Sequence, residues 1–501
     1  MIMMDELEQL KHAGKFTLSP GKDVYGELTL AGANTSLYLR DNEYFDTFAV
    51  ADQCVKGILH DLTKVSLIQC ITTQGTGSAT RGHERYHFAN LFPHYVIFGD
   101  HHIAPDDKTI TEVHFVIDDA STLFYDFDAF GSLMDARPFI EQIAHANGLE
   151  REITTGPDPQ ILYFTGKREI FSANTVLGRV SASHNPTHNI GGPDGVYLKN
   201  TIFVTIAFKE ALTFDEAADH TLTLLKYLEI LVGRPQNLLK LNLSIKCDDE
   251  RKNSLQVYWS MPPKRGPSHE ERSPHPADVL LDAVGQPDAF SQVLSSWLDR
   301  QQDWHDARMR FSNSFANQQR YSIDRLIGSA NMFDILPSTA VPPDVQLSEE
   351  LKCAKEECRK IFKKLPQSAE CAKILIALKQ LGESALKHKI RHRGQLLIDT
   401  VGAGFPDLFM VTDEAVNCRN HYVHGDKPKL DYSNEFDPVV VFFTDTLEFV
   451  FAASDLIEAG WDVKGWSETA SSISHPFGQY RINYAENLRK LQALLAGPVI
   501  T

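Results

Sequence analysis

The stretch GFPDLFMVTDEAVNCRNHYVHG, Gly404–Gly425, sets the reading of the C-terminal half. It reads as a helix over Asp407–Val423, stopped by Gly425 at the position where a left-handed residue closes a helix. Arg419 and one of the histidines near that end also suit the negative pole of the helix dipole. Arg419 and His424 are five positions apart, about 140° around a regular helix with ~3.6 residues per turn. For both to face one target, the chain is expected to leave regular helix between them, with the Gly425 stop freeing His424 to swing.

Outward from this helix, the C-terminal half is a series of helical segments: Trp297–Ile335, Ser348–Lys364, Ser368–Thr400, Pro438–Ala459 and a short one near Asn483–Leu495. Pro, Gly and N-cap residues separate them, so a helical bundle is expected. The N-terminal half has another rhythm. FTLSPGKDVYGELTLAGANTSLYLRD alternates apolar and polar residues between turn residues, as do EVHFVIDD, NTIFVTIAF and SLQVYWS, which predicts strands and hairpins. Helices are expected near Gly131–Asn147 and over TFDEAADHTLTLLKYLEILVG. The fold class is therefore α+β multidomain: a β-sandwich-like or barrel-like N-terminal domain with helical insertions, then an all-α bundle. Pro262–Asp278, dense in Pro and charge, reads as a linker. The boundary is placed near 280–295, giving domains 1–290 and 291–501.

The 501 residues carry a net charge of −17, which argues against a protein coated in positive charge for bulk nucleic-acid binding. From Ser296 onward there are 24 Lys+Arg and 27 Asp+Glu, so most of the negative charge lies in the first 295 residues. Leu351–Arg393 reverses the balance, with 12 Lys+Arg against 4 Asp+Glu: a solvated helix face or a phosphate-tracking surface. MIMMDELEQL has no signal-peptide character. The most apolar stretch, PVVVFFTDTLEFVFAASDLIEAGW, is interrupted by Asp445, Glu448, Asp455 and Glu458, charges expected on the outer face of a core helix. Seven cysteines at wide spacing without a CxxC fit a reducing cytoplasm. GTGSATRG lacks the third glycine of a dinucleotide turn. The pairs His101/His102 and His184/His188 lack a ligand set. No cofactor or metal is expected.

Chemistry concentrates at the opening stretch. A neutral imidazole can take the proton of a ribose 2′-OH, and a protonated one can supply the leaving 5′-oxygen. A fixed guanidinium can hold the phosphorane oxygens in bidentate fashion. One Arg and one His make a thin site, which a two-fold dimer would double.

RNHYVHGD resembles the R-x(4–6)-H signature of HEPN ribonucleases, with Asn420 as the polar residue that commonly follows the Arg. With FSNSFANQQRYSIDRLIGSANMFDILP and the apolar helix after the motif, the helical half resembles the Apea-like HEPN domain. A strand-rich N-terminal domain matches the layout of ApeA-type proteins. The resemblance implies metal-independent RNA cleavage by a homodimer in cytoplasmic anti-phage defence through abortive infection, with a tRNA loop as the guessed target. On it, Arg419 binds the scissile phosphate, Asn420 orients it or the His, and His424 is the acid–base residue. His421 is read as structural. Lys387, Lys389, Arg391 and Arg393 are expected to hold RNA. The N-terminal domain would sense a phage protein or restrain the nuclease. The alternative is a non-catalytic dimerisation scaffold whose N-terminal domain binds a ligand.

Overall fold

The computed structural model describes residues 10–18, 21–45, 54–148, 153–189, 191–193, 195–246, 253–262, 274–318, 320–343, 347–382, 384–432, 434 and 436–496. The expected linker at Pro262–Asp278 lies mostly outside them. The chain divides into two compact units, Met1–Leu298 and Asp299–Thr501.

The first unit opens with β1 (Leu10–Leu18), β2 (Lys22–Leu30), β3 (Ser36–Asp41), β4 (Val55–Leu59), β5 (Lys64–Thr72), β6 (Gly77–Arg81) and β7 (Glu84–Gly99). Antiparallel pairing runs β7–β3–β2–β1–β4–β5 and returns from β5 to β7, closing a barrel. Closure removes the sheet edges, and period-2 alternation fills the interior. Phe16, Val24, Leu28, Leu37, Leu39, Leu67, Leu91 and Val96 form one buried cluster there. Closure depends on the length of β7, whose 16 residues serve two neighbours on each edge.

After β8 (Ile110–Ile117) come α1 (Ala120–Leu123), β9 (Phe130–Met134), α2 (Arg137–Ala146), β10 (Gln160–Phe164), β11 (Glu169–Thr175), β12 (Gly178–His184), β13 (Thr187–His188) and β14 (Leu198–Lys199). The unit continues with β15 (Ile202–Leu212), α3 (Phe214–Val232), β16 (Leu238–Ile245), β17 (Asn253–Trp259) and α4 (Pro287–Asp299). Strands β17, β16, β8, β15, β12 and β11 extend from β7 as an open wing, so the whole sheet has 13 strands.

Helix α3 starts at a capping box, Thr213 with Glu216, and ends at left-handed Gly233. It packs on β8 and β15. The expected helix at Gly131–Asn147 is shorter. Phe130–Met134 pairs with β10 instead, where the Phe130 and Phe164 rings stack at 4.8 Å. Gly131 leaves room there for the Tyr163 ring. Phe290 of α4 packs on Phe124 and Phe171, and Trp297 on Tyr227. That packing keeps α4 in this unit and puts the division past the expected 290.

The second unit contains α5 (Gln301–Phe315), α6 (Ile323–Asn331), α7 (Glu349–Lys364), α8 (Ala369–Gln380), α9 (Leu386–Val401), α10 (Leu408–His424), α11 (Val441–Ala459), α12 (Val463–Glu468) and α13 (Pro476–Ala496). Two expected helices are broken. Trp297–Ile335 divides where extended Ser322 caps α6, its hydroxyl accepting from the Arg325 amide at 3.1 Å. Ser368–Thr400 divides at Gly382, whose φ of +102° a helix cannot contain. The core helix is α11, against which α5, α6, α9, α10 and α13 pack.

The acidic residues of α11 correct an expectation. Glu448 and Asp455 are buried rather than outward-facing. Glu448 accepts from Arg325 Nε at 2.9 Å and Nη2 at 2.8 Å, and from Ser314 and Ser329. Asp455 accepts from Arg308 Nε at 2.9 Å and Nη2 at 3.0 Å. Buried carboxylates persist where guanidinium forks neutralise them. No helix among the described residues is long and apolar enough to cross a membrane.

Asp445, one turn before Glu448, accepts from the Tyr321 hydroxyl at 2.7 Å. Burial, and then the charge of Glu448, push its carboxyl up to about 7. The folded chain holds this proton more tightly than the unfolded one, so the group's contribution to stability falls as pH rises between about 4 and 7. Asp445→Asn is expected to raise Tm at pH 7.5 and to raise it much less at pH 5, as read by thermal melts at both.

Candidate active site

Helix α10 is rooted by Leu408, Val411, Ala415 and Cys418, a stripe at helical spacing that is entirely buried. It packs on α6, α9 and α11. The helix stays regular through His424. Gly425 then takes φ +74° and donates its N–H to the His421 carbonyl at 2.9 Å.

Arg419 and His424 nevertheless meet. Arg419 Nη1 lies 3.0 Å from His424 Nε2 and 3.0 Å from Asn420 Oδ1. Unwinding, which the sequence reading required, does not occur. Asn420 and His424 are i and i+4 and share a face, and the long Arg419 side chain crosses sideways to reach it. Because guanidinium only donates, Nε2 of His424 is the acceptor, which places the imidazole proton on Nδ1.

A fourth residue comes from α6. Arg419 Nη2 donates to Asn331 Oδ1 at 2.9 Å, and the carboxylate of Asp334 stands 4.0 Å away. Sequence reading missed Asn331, which is 88 residues from Arg419; its one local signal is a polar side chain at a helix end. The Arg325–Glu448 clamp ties the start of α6 to α11 and so fixes where Asn331 emerges.

The partners of Arg419 are electrostatically unusual. Asn420, Asn331 and neutral His424 are uncharged acceptors. Arg325 and Arg393, by contrast, meet carboxylate oxygens at 2.8 and 2.6 Å, and Arg391 is closely paired with Asp413. The Arg419 side chain is 14% exposed, so it presents a largely desolvated positive charge that no tight ion pair neutralises. Such a charge favours a phosphate oxygen.

The other expected residues do not share one surface. Positions 387, 389, 391 and 393 alternate, and residues two apart on a helix point about 200° apart. Lys387 donates to Asn417 Oδ1 at 2.7 Å, and Arg391 pairs with Asp413, both on α10. Lys389 donates to the Asp334 carbonyl at 2.9 Å, beside the Arg419 cluster. Arg393 is fully buried, bonded to Ser454 at 3.0 Å and Glu458 at 2.6 Å, with its guanidinium over the Trp304 ring. That burial removes Arg393 from any RNA surface.

His421 donates Nδ1–H to the Asp426 carbonyl at 2.7 Å and packs against Tyr422 and Tyr432, a helix-end role. Burial pushes the adjacent Cys418 thiol up to about 12, which leaves it protonated and no nucleophile.

Residues 327–464, which contain this cluster, match the family described as Apea-like HEPN. Residues 11–297 match the family described as ApeA N-terminal domain 1. No curated protein and no solved structure matches the chain. An N-terminal match over more than half of the chain, followed by the HEPN match around Arg419 and His424, places this protein in the ApeA family.

Proposed function

We propose that the helical unit is a metal-independent endoribonuclease and that the protein acts in anti-phage defence by abortive infection. The observation that carries this reading is the guanidinium–imidazole contact at 3.0 Å, with Arg419 held by uncharged acceptors. A phosphate entering the cluster replaces the neutral imidazole acceptor of Arg419 with an anionic one. Arg419 then leaves Nε2 of His424 and takes the non-bridging oxygens. The freed Nε2 lone pair accepts the 2′-OH proton, and the 2′-oxygen attacks the adjacent phosphorus. Arg419 stabilises the phosphorane, and an imidazolium protonates the departing 5′-oxygen. Base and acid are both needed, and a homodimer, typical of HEPN domains, supplies a second His424. Lys387 and Lys389 flank the path of the substrate. Single-stranded loops, such as those of tRNA, allow the in-line geometry. The N-terminal unit takes the trigger, such as a phage protein, and the protein works in the cytoplasm.

Asn331 positions Arg419 in this scheme. Asn331→Ala removes a hydrogen bond to a charged group, about 1.5–3 kcal/mol, so cleavage is expected to slow by up to roughly 10–150-fold, with a fall in Tm of no more than about 10 °C. Single-turnover RNA cleavage measures it.

Expression in cells tests the proposal as a whole. Wild type, once triggered, is expected to arrest growth and block phage, and Arg419→Ala to do neither. A scaffold reading draws on the intrachain bonds that occupy Arg419. It predicts intact protection with Arg419→Ala.

A further inference from the structure

Helices α7 and α8 form a hairpin that buries almost nothing. They pack on each other, with Cys371 Sγ donating to the Phe362 carbonyl at 3.0 Å and Lys355 Nζ to the Leu381 carbonyl at 2.8 Å. Yet no residue of α7 is buried. Leu351, Ala354, Cys358 and Ile361 of α7 follow one another at steps of three and four, with Leu365 at the extended C-cap, the spacing of a coiled-coil seam. Leu351, Ile361 and Leu365 of that seam, and Ile376 of α8, are 45–59% exposed. A seam of this kind forms when a second helix covers it; a short helix gains most of its stability from such packing.

The charges of α7 say which helix. Its first turn carries Glu349 and Glu350, its last turns carry Arg359, Lys360, Lys363 and Lys364, and Lys352, Lys355, Glu356 and Glu357 lie between. Glu349 pairs with Lys352, and Glu356 with Arg359, along the helix. Glu350, Glu357, Lys360, Lys363 and Lys364 make no ion pair among the described residues. A helix that is acidic at one end and basic at the other complements itself when a copy lies antiparallel across it. A two-fold axis imposes that arrangement.

We propose that the exposed seam of α7, flanked by α8, is a self-association surface that takes the same hairpin of a second copy in antiparallel two-fold fashion. Glu350 of each chain then faces the Lys363–Lys364 end of the other. Glu357 then lies near the axis, about one turn along from Lys360 of the other copy. The apolar seam supplies the affinity and the charges set orientation and partner. None of the cluster around Arg419 lies on these two helices, so this contact is separate from the cleavage site. Interleaved glutamates also make α7 a poor track for RNA phosphates.

The test is the mass of the full-length protein in solution, by sedimentation across a concentration series at physiological salt. Two charge reversals are compared with wild type, E350K/E357K and K360E/K363E/K364E; every changed residue is exposed. Each reversal alone is expected to weaken self-association at least about tenfold, because like charges then face each other. An equimolar mixture of the two is expected to recover the wild-type assembly. Ile361→Asp is expected to lower the mass without recovery by either reversal. Arg419→Ala and His424→Ala are expected to assemble as wild type, so loss of cleavage and loss of this contact are read separately. Unchanged mass in both reversals, or a mixture that fails to recover, overturns the proposal. So does unchanged mass with weaker RNA retention in K360E/K363E/K364E, which assigns the hairpin to RNA.

Discussion

His424→Ala is expected to lower the rate constant for RNA cleavage by roughly 10²–10⁴-fold, the usual worth of a positioned acid–base group. The side chain sits at the exposed end of α10, beyond the buried stripe that roots the helix. Gly425 keeps its bond to His421 without it. Arg419 retains Asn420 and Asn331 as partners, so phosphate binding is largely preserved. The loss should therefore fall on the chemical step and leave KM within a few-fold of wild type. Single-turnover cleavage of end-labelled RNA over a series of enzyme concentrations separates the two. A loss confined to KM would make His424 a binding residue.

Glu448→Ala has the largest expected effect on stability. The carboxylate accepts four hydrogen bonds inside the helical unit, two of them from Arg325. Glu448 is 3% exposed and Arg325 6%. Removing the anion leaves the buried guanidinium with Asp445 Oδ1, at 3.9 Å, as its remaining counter-charge, a change that costs up to about 3–5 kcal/mol. For a unit of this size the helical transition should fall by on the order of 10 °C. Denaturant melts of the full chain read it. Cleavage should weaken as well, because α6 loses the clamp that sets Asn331 beneath Arg419. A variant within about 1 kcal/mol of wild type would show that water replaces the carboxylate.

The sequence announces some of this directly. Alternation in the first half predicts strands because a barrel wall has one apolar face. Closure is not written locally. It rests on Leu91 pairing with Leu37 on one edge of β7 and with Thr72 on the other, contacts that no window of residues contains. The end of α10 is legible because Gly425 is a strong local stop. The way Arg419 reaches His424 is not, because backbone angles alone overlook how far an arginine extends. Glu448 and Asp455 read as surface charges because their guanidinium partners lie on α6 and α5, more than 100 residues upstream. The alternating cations of α9 read as one basic stripe, yet a helix sends them to opposite sides, and Arg393 ends in the core.

The most direct test of the central claim is the chemistry of the RNA ends. Wild-type protein, in EDTA and with its trigger supplied by phage-infected extract, is expected to leave 2′,3′-cyclic phosphate and 5′-hydroxyl ends, and His424→Ala under the same conditions to leave almost none. Products with 3′-hydroxyl and 5′-phosphate ends that form only with added Mg²⁺, or cyclic phosphate formed equally by the variant, would contradict catalysis by Arg419 and His424.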